Sequence, residues 1–413
     1  MKKIFLLVLA LALFSPQIAS AKINLYGQLD IMGSDTQWKN IGNTFANGRS
    51  FTNTRFLLGA NFDLIENVEG NVAFVYVNSW GDNYLAGQQI DNSTNTGLLN
   101  KITLTEANII FKNFFDNDRL TLKVGRFYYG EKGDSIFYVG LRDMTRWVAY
   151  SQNYWLGAYN GGMDGVVLNY SDKEKLNVDF LYSKISNENA DTSMMAQTKV
   201  NISLINAKYK LNDNLSLRGY IYDSETAEIV PIGLYGTNRT EIIGFKPEFR
   251  KCSLSASAEI AKLFYSFQSN MFDQTDNDAV LGKVNAEYRI ILKDMMLTPR
   301  VQYLRAGQYF ASSLSDANFG FMTNNFSFTW GLYNVESFNV GADWSISKFR
   351  VSADVFKNSN ANGGNCFYEY NLIGRYDYTN NIEIYAGYGY QDWDDSDYWV
   401  SSAIMGVTYK FGK

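Results

Sequence analysis

The sequence predicts an all-β protein: a closed antiparallel transmembrane β-barrel of about eighteen strands, with long extracellular loops, short periplasmic turns, and sixteen strands as the alternative count. Three observations lead there. The chain carries 29 Tyr and 28 Phe, yet its mean hydropathy is only −0.22. Segment after segment alternates apolar with polar residues, so one face of each strand can meet lipid while the other meets water. Beyond residue 21 no apolar run approaches the ~20 residues that a spanning helix needs. A soluble all-β protein shares the alternation but usually brings more turn prolines and fewer aromatics. Here there are four prolines, one of them in the leader.

Residues Met1 to Ala21 read as a secretory leader, with Lys2 and Lys3 as the charged start and Ala19-Ser20-Ala21 as the cleavage site. Its apolar core, Ile4 to Phe14, is eleven residues long, too short to anchor in a bilayer. No cysteine follows the site, which argues against a lipoprotein. Residues 22–413 then form one barrel domain, and loss of the two leader lysines takes the net charge from −5 to −7.

The strands follow in order. Lys22–Met32 sets Ile23, Leu25, Gly27, Leu29 and Ile31 on one face and Asn24, Tyr26, Gln28 and Asp30 on the other. A polar loop separates it from Thr54–Leu64, where Phe56, Leu58, Ala60 and Phe62 oppose Arg55, Asn61 and Asp63. Asn71–Ser79 is apolar on both faces, so its lipid side is ambiguous. Lys101–Lys112 points Ala107, Ile109 and Phe111 outward; the turn Asp116-Asn117-Asp118 leads into Arg119–Tyr128. After a long irregular segment come Asp164–Tyr170 and Leu176–Lys184, then Val200–Leu211 and Leu215–Asp223 around Asn212-Asp213-Asn214. Thr240–Phe249 and Ser253–Lys262 flank Arg250-Lys251-Cys252; Val280–Leu292 and Met296–Gln308 flank Lys293-Asp294. An aromatic loop with an unclear stretch at Phe321 to Asn334 precedes Ser337–Ile346, Phe349–Lys357, Phe367–Tyr378 and Ile382–Gln391.

The last strand lies within Tyr398 to Phe411. It carries Ala403, Met405, Val407, Tyr409 and Phe411 on one side and Ser402, Ile404, Gly406, Thr408 and Lys410 on the other. Alone in water it would be a sticky edge; paired with the first strand it closes the barrel. Pro247 and Pro299 both fall at the periplasmic rim, where a missing N–H costs least. Cys252 falls at a periplasmic turn and Cys366 at an extracellular strand end. That is a barrel height apart and beyond the ~7 Å a disulfide tolerates, so both are expected as free thiols. The chain has no histidine, which removes the imidazole base of hydrolytic triads and the commonest transition-metal ligand. No phosphate-cradling glycine motif, metal site or nucleic-acid-binding basic stretch is present, and no cofactor is expected.

Several segments resemble those of Gram-negative general porins. Ile23-Asn24-Leu25-Tyr26-Gly27-Gln28-Leu29-Asp30 is similar to the opening strand. Arg55 to Gly70 with Asn71 to Val77 resembles the second and third strands, and Leu120 to Tyr128, with Val124-Gly125-Arg126, the strand before the folded-in third loop. Thr298-Pro299-Arg300-Val301 and Gly406-Val407-Thr408-Tyr409-Lys410-Phe411 resemble late strands. Two departures stand out: general porins usually have sixteen strands, and Gly412 and Lys413 follow the terminal aromatic here.

The resemblance implies a non-enzymatic, water-filled channel in the outer membrane of a Gram-negative-type bacterium. It passes small hydrophilic solutes and ions, sits among lipid and lipopolysaccharide, is inserted by the barrel machinery through its C-terminal strand, and works as a homotrimer. Eighteen strands point to the alternative, a channel selective for sugars or anions. By the same resemblance Tyr129 to Gly162 folds inward, bringing Glu131, Asp134, Arg142, Asp143 and Arg146 to a constriction with Arg55, Lys123 and Arg126. Arg218, Arg289, Arg300, Arg350 and Arg375 form a basic lumen wall. Opposed charges there would set a transverse field that filters solutes.

Arg126 shares parity with Leu120, Leu122 and Val124, so a bulge at Gly125 is expected to turn it inward. The loop's aromatics, Tyr128, Tyr129, Phe137, Tyr138, Trp147, Tyr150, Tyr154, Trp155 and Tyr159, suit either a sugar slide or packing onto the wall, and packing is favoured. Asp392, Asp394, Asp395 and Asp397 suit divalent bridging of lipopolysaccharide or, more commonly, a solvated loop. A barrel phospholipase or protease is disfavoured by the missing histidine. A plugged structural or adhesive barrel remains the third class.

Overall fold

The computed structural model describes residues 22–39, 48–81, 84, 85, 88, 89, 102–140, 162–186, 197–230, 234–269, 275–308, 310, 334–364, 366–394 and 399–412. The barrel strands are β1 Ile23–Lys39, β2 Gly48–Ile65, β3 Val68–Gly81, β4 Ile102–Lys112, β5 Leu120–Phe127, β6 Met163–Ser171, β7 Leu176–Ser186, β8 Gln197–Lys210 and β9 Leu215–Val230. They continue as β10 Leu234–Lys251, β11 Leu254–Ser269, β12 Thr275–Tyr288 with its continuation Ile290–Leu292, β13 Met295–Ala306, β14 Val335–Ile346, β15 Phe349–Asn360, β16 Cys366–Asp377, β17 Ile382–Trp393 and β18 Trp399–Phe411.

Every neighbour in this order pairs antiparallel. The continuation Ile290–Leu292 keeps the register of β12 against β13, so the sheet is eighteen strands around. β1 pairs β18 from Gly27↔Phe411 to Lys39↔Trp399, which closes the wall and leaves no edge.

The alternation read from the sequence is the alternation of the wall. On β18 Met405 is 69 % exposed, whereas Ser402 is fully buried on the lumen side. Leu25, Ile221, Ile243, Ile260 and Leu372 carry the same exposed belt around the barrel. A closed barrel satisfies every backbone ladder within itself, so this apolar surface fits the hydrocarbon of a bilayer. No described helix is long and apolar enough to cross a membrane. β3 resolves with Ala73 and Val75 facing in, buried, while Val72, Phe74 and Tyr76 share the other face. Of the stretch Phe321 to Asn334, only Asn334 lies within the described residues.

Strands run longer than expected at their extracellular ends: β1 reaches Lys39, β9 Val230, and β10 begins at Leu234. Above the belt both faces are polar, as with Ser34, Asp35, Thr36 and Gln37, so hydrophobic periodicity ends before pairing does. At the periplasmic end the turns are tight, with Asn67, Lys173, Cys252, Lys293 and Ser347 in the left-handed region. Pro247 sits where the β10–β11 ladder skips Lys246 and Pro247. Cys252 and Cys366 are both free thiols.

One periplasmic turn carries a pH signature. The Asp172 carboxylate accepts the backbone N–H groups of Lys175, Leu176 and Glu174 at 2.7, 2.8 and 3.0 Å. The Leu176 amide foremost, then that of Lys175, holds its pKa below the ordinary carboxylate value. The turn is therefore firm above the unfolded-state pKa and loosens as pH falls through the lower folded value. Carboxyl NMR titration in micelles is expected to place Asp172 below an exposed aspartate, and Asp172→Asn to abolish the acid-induced loosening of Glu174 and Lys175 amide protection.

The lumen departs from a simple polar lining. In the extracellular half, inward positions on β8 to β13 are apolar and buried: Ile202, Leu204, Ile242, Leu263, Leu281 and Leu304. They form one cluster with Ile136, Phe137 and Val139 of the segment after β5. Side chains facing in need not face water where a second layer of chain covers them.

Candidate pore constriction

The segment Tyr128 to Gly140 leaves the top of β5 and lies inside the barrel. Tyr129 and Val139 exchange backbone hydrogen bonds of 2.9 and 2.8 Å, so the segment folds back on itself. Gly130, at φ +96°, starts the reversal, and a Cβ there would stand 2.4 Å from the Phe137 carbonyl oxygen. At the tip, Asp134 Oδ1 accepts the Ile136 N–H at 2.9 Å. Phe137 meets Tyr129 and Tyr222 at 5.7 Å between ring centroids.

Three polar fastenings hold this segment to distant strands. Arg218 Nη1 of β9 donates to Asp134 Oδ2 at 2.6 Å, both side chains buried, while Arg218 Nε donates to Asn206 Oδ1 at 2.6 Å. The same guanidinium stands over the Tyr220 ring at 5.4 Å. Lys283 Nζ of β12 donates to Ser135 Oγ at 3.1 Å and to the Gly133 carbonyl at 3.3 Å. The Tyr129 hydroxyl donates to Asp179 Oδ2 of β7 at 2.8 Å. Burial first, and the Asp179 charge second, push that phenol far above its ordinary pKa, so it stays a donor. A chain leaving β5 is thus tied to β7, β9 and β12 across the interior.

The residues singled out from the sequence fall into distinct places. Asp134 and Arg218 come together, one from the loop and one from the wall. Glu131 is exposed at the turn beside them. Arg55 is buried against Asp30 at 2.8 Å, next to the β1–β18 seam. Lys123 faces in, with its ammonium 5.1 Å from the Phe127 ring centroid. Arg300 bonds Asp343 and, at 2.6 Å, Asp354; Arg375 bonds Glu383 at 2.8 Å; Arg350 bonds the same Glu383 and, at 2.8 Å, Asp377. Arg289 is exposed at the periplasmic end of β12.

Arg142, Asp143 and Arg146 lie outside the described residues, as do Trp147, Tyr150, Tyr154, Trp155 and Tyr159. Phe137 and Tyr138 are buried by packing. Asp392 and Asp394 are exposed at the end of β17; Asp395 and Asp397 fall outside the described residues.

Arg126 is a correction. It stands opposite Ala107 and Asp164, on the same side of the wall as Val124 and Val166, and so faces outward. Gly125 is distorted, at φ +122°, without changing that parity. The register shift lies instead between β3 and β4, after Ala73. An outward arginine is tolerated because Asp164 takes it in a fork of 2.7 and 2.5 Å and the Leu104 carbonyl accepts Nη1 at 3.1 Å. It also lies at the extracellular end of β5, where the cost of a lipid-side charge fades. Lys283, Asn206, Asp179 and Asp30 were not singled out as partners, although strand parity alone places Lys283 inward with Leu281.

No protein-family model matches the chain, and no curated protein sequence does. Solved structures do. A BenF-like porin from Pseudomonas fluorescens Pf-5 superposes with a TM-score of 0.60 at 11 % identity, covering 96 % of this chain and 100 % of that one. OccK9 (OpdG) of Pseudomonas aeruginosa gives 0.59 at 11 % identity, and OccAB2 of Acinetobacter baumannii 0.58 at 11 %, each covering 96 % of this chain and 100 % of the other. The fold is that of outer-membrane porins. At such identity the likeness is one of architecture: the eighteen-stranded barrel and its apolar belt.

Proposed function

We propose that the chain is a substrate-selective outer-membrane channel for small hydrophilic solutes, in preference to a general diffusion pore. The observation that carries this reading is the segment Tyr128 to Gly140, pinned across the lumen by Arg218, Lys283 and Asp179 and packed on an apolar inner wall. A general pore needs width and water at its narrowest level. Here one side of that level is filled with close-packed side chains, which narrows the lumen there. The porin folds it resembles include a BenF-like porin and OccK9, which also favours the selective class. With no histidine anywhere, the reading is transport without catalysis.

In this reading the leader, Met1 to Ala21, is removed, the C-terminal strand directs insertion, lipopolysaccharide surrounds the belt, and three copies assemble. Planar-bilayer recording of the purified protein tests the central claim. The expected result is a small single-channel conductance that at least one class of small solute reduces at millimolar concentration. A large conductance indifferent to every solute would return the reading to general diffusion, and no conductance would make it a structural barrel.

A further inference from the structure

The outward face of the barrel is not the same all the way round. Resting on the assembly of three copies in that reading, and not on what the pore passes, we propose that the sector across the seam, β16 to β18 with β1 to β4, is covered by further copies of this chain.

Strands rise about 3.3 Å per residue and tilt by about 40°, so the ninth residue from the periplasmic end stands roughly 20 Å up, near the top of a belt about 25 Å tall. At that height β7, β9, β11 and β15 turn Lys184, Asp223, Lys262 and Lys357 outward. Arg126 of β5 and Asp164 of β6 stand just below. These side chains are open. Lys262 bonds Asp278 at 2.9 Å, both half-exposed, and Arg239 of β10 bonds Asp223 and Glu241 at 3.1 and 2.6 Å. Charge at this level fits the layer of lipid headgroups, where the cost of a lipid-side charge fades.

The same height on the seam sector carries none. There the ninth residues are Tyr390 on β17, Ala403 on β18, Ile31 on β1, Tyr76 on β3 and Leu104 on β4. Tyr368 and Tyr370 of β16, and Phe56 and Leu58 of β2, flank that level. Among the described side chains these seven strands turn no basic group outward. Their outward carboxylates, Asp35 and Asp392, stand higher, at the thirteenth and eleventh residues.

Lipid does not forbid charge at this level, since strands between β5 and β15 carry it. A dry contact between proteins does, because a charge there leaves water without a partner. The residues present are those that such a contact gathers. Tyr370, Tyr390 and Trp399 stand with ring centroids 6.4 and 6.2 Å apart across β16, β17 and β18, an aromatic surface three strands wide. Below it Met405 and Tyr388 are exposed. Tyrosine, tryptophan and methionine are enriched, and charge depleted, at the centre of protein interfaces. The sector spans seven of the eighteen strands. In a closed ring of three, each barrel turns about a third of its wall toward its neighbours, one flank of the sector meeting the opposite flank of the next copy.

The test turns on height. Ala403→Lys places a lysine at the level that Lys184, Lys262 and Lys357 already occupy, so lipid tolerates it and a protein contact does not. Ser203→Lys on β8, outward and exposed at nearly the same level, is the control. Light scattering in dodecyl maltoside reads the particle mass, and cross-linking in phospholipid vesicles reads association in a bilayer. Three copies per particle are expected for wild type and Ser203→Lys, and one for Ala403→Lys, a three-fold drop. Heat-modifiable migration on gels shows whether each variant is a folded barrel. Ser401→Lys, a milder change higher on the same face, replaces Ala403→Lys if that one is not.

A wild type that is a single barrel in both detergent and vesicles would overturn the inference, with lipid covering the whole belt. The selective channel would be untouched by that result, because solute block is read one pore at a time. Association that survives a folded lysine variant of β18 would overturn the location, and so would loss of association in Ser203→Lys.

Discussion

Arg218→Met is expected to make the channel flicker between its wild-type current and a level roughly two-fold higher, as the segment Tyr128 to Gly140 leaves the lumen intermittently. The substitution strands Asp134, whose carboxylate is almost fully buried and whose cationic partner is Arg218 at 2.6 Å. Breaking a buried pair by removing one partner costs about 3–5 kcal/mol, because the remaining charge must be carried without compensation. Opposing release, Ile136, Phe137 and Val139 are buried in the inner cluster, each worth about 1.5–3 kcal/mol. Burial of the three side chains outweighs the stranded charge, so the expected outcome is brief, intermittent opening and not a permanently wider pore. Adding Asp134→Leu removes the stranded charge and is expected to return the current to one level. A steady wild-type current in the single variant, read in planar bilayers, would show that the ion pair does not hold the segment.

Asp30→Ala is expected to lower the unfolding free energy of the barrel in detergent by about 3–5 kcal/mol, again because a buried guanidinium, here that of Arg55, loses the carboxylate that it bonds. Asp30 sits where the wall closes. Its Oδ2 takes Arg55 Nε of β2 at 2.9 Å and its Oδ1 takes the Thr408 hydroxyl of β18 at 2.7 Å. Gln28 of the same strand donates to both oxygens, at 2.8 and 2.9 Å. One carboxylate therefore ties the first, second and last strands on the lumen side of the seam. Asp30→Leu with Arg55→Leu is expected to recover most of the loss, since both charges are then gone and only the neutral donors of Gln28 and Thr408 lose an acceptor. Denaturant titration followed by tryptophan fluorescence reads both. A loss below about 1 kcal/mol in the single variant would mean that water reaches Arg55 and the pair is worth no more than a surface one.

Much of this architecture is legible along the chain. Ala403, Met405, Val407 and Tyr409 face lipid and Ser402, Ile404 and Thr408 face in, as alternation alone requires, because a strand has only two faces and the bilayer sorts them. Local parity also places Arg126 outward. The inward bulge expected of Gly125 would have rescued a charge from lipid, but Asp164, across the strand pair, does so without moving it. That rescue is non-local, and alternation within one strand cannot show it.

The same limit applies to the lumen. Nothing near Ile202, Ile242 or Leu281 in sequence says that they will be covered by Ile136 and Phe137, a contact spanning several strands. Nor does a basic side chain announce the carboxylate that neutralises it: Arg218 and Asp134 lie 84 residues apart, and Arg300 and Asp354 lie 54 apart. Sequence alone determined the closed two-faced barrel, its turns and its strand order, because those follow from residue-to-residue periodicity and turn chemistry. Only the tertiary structure decided which inner surfaces are dry and which charges are cancelled, because these depend on side chains brought together around the circumference, where chain distance carries no information.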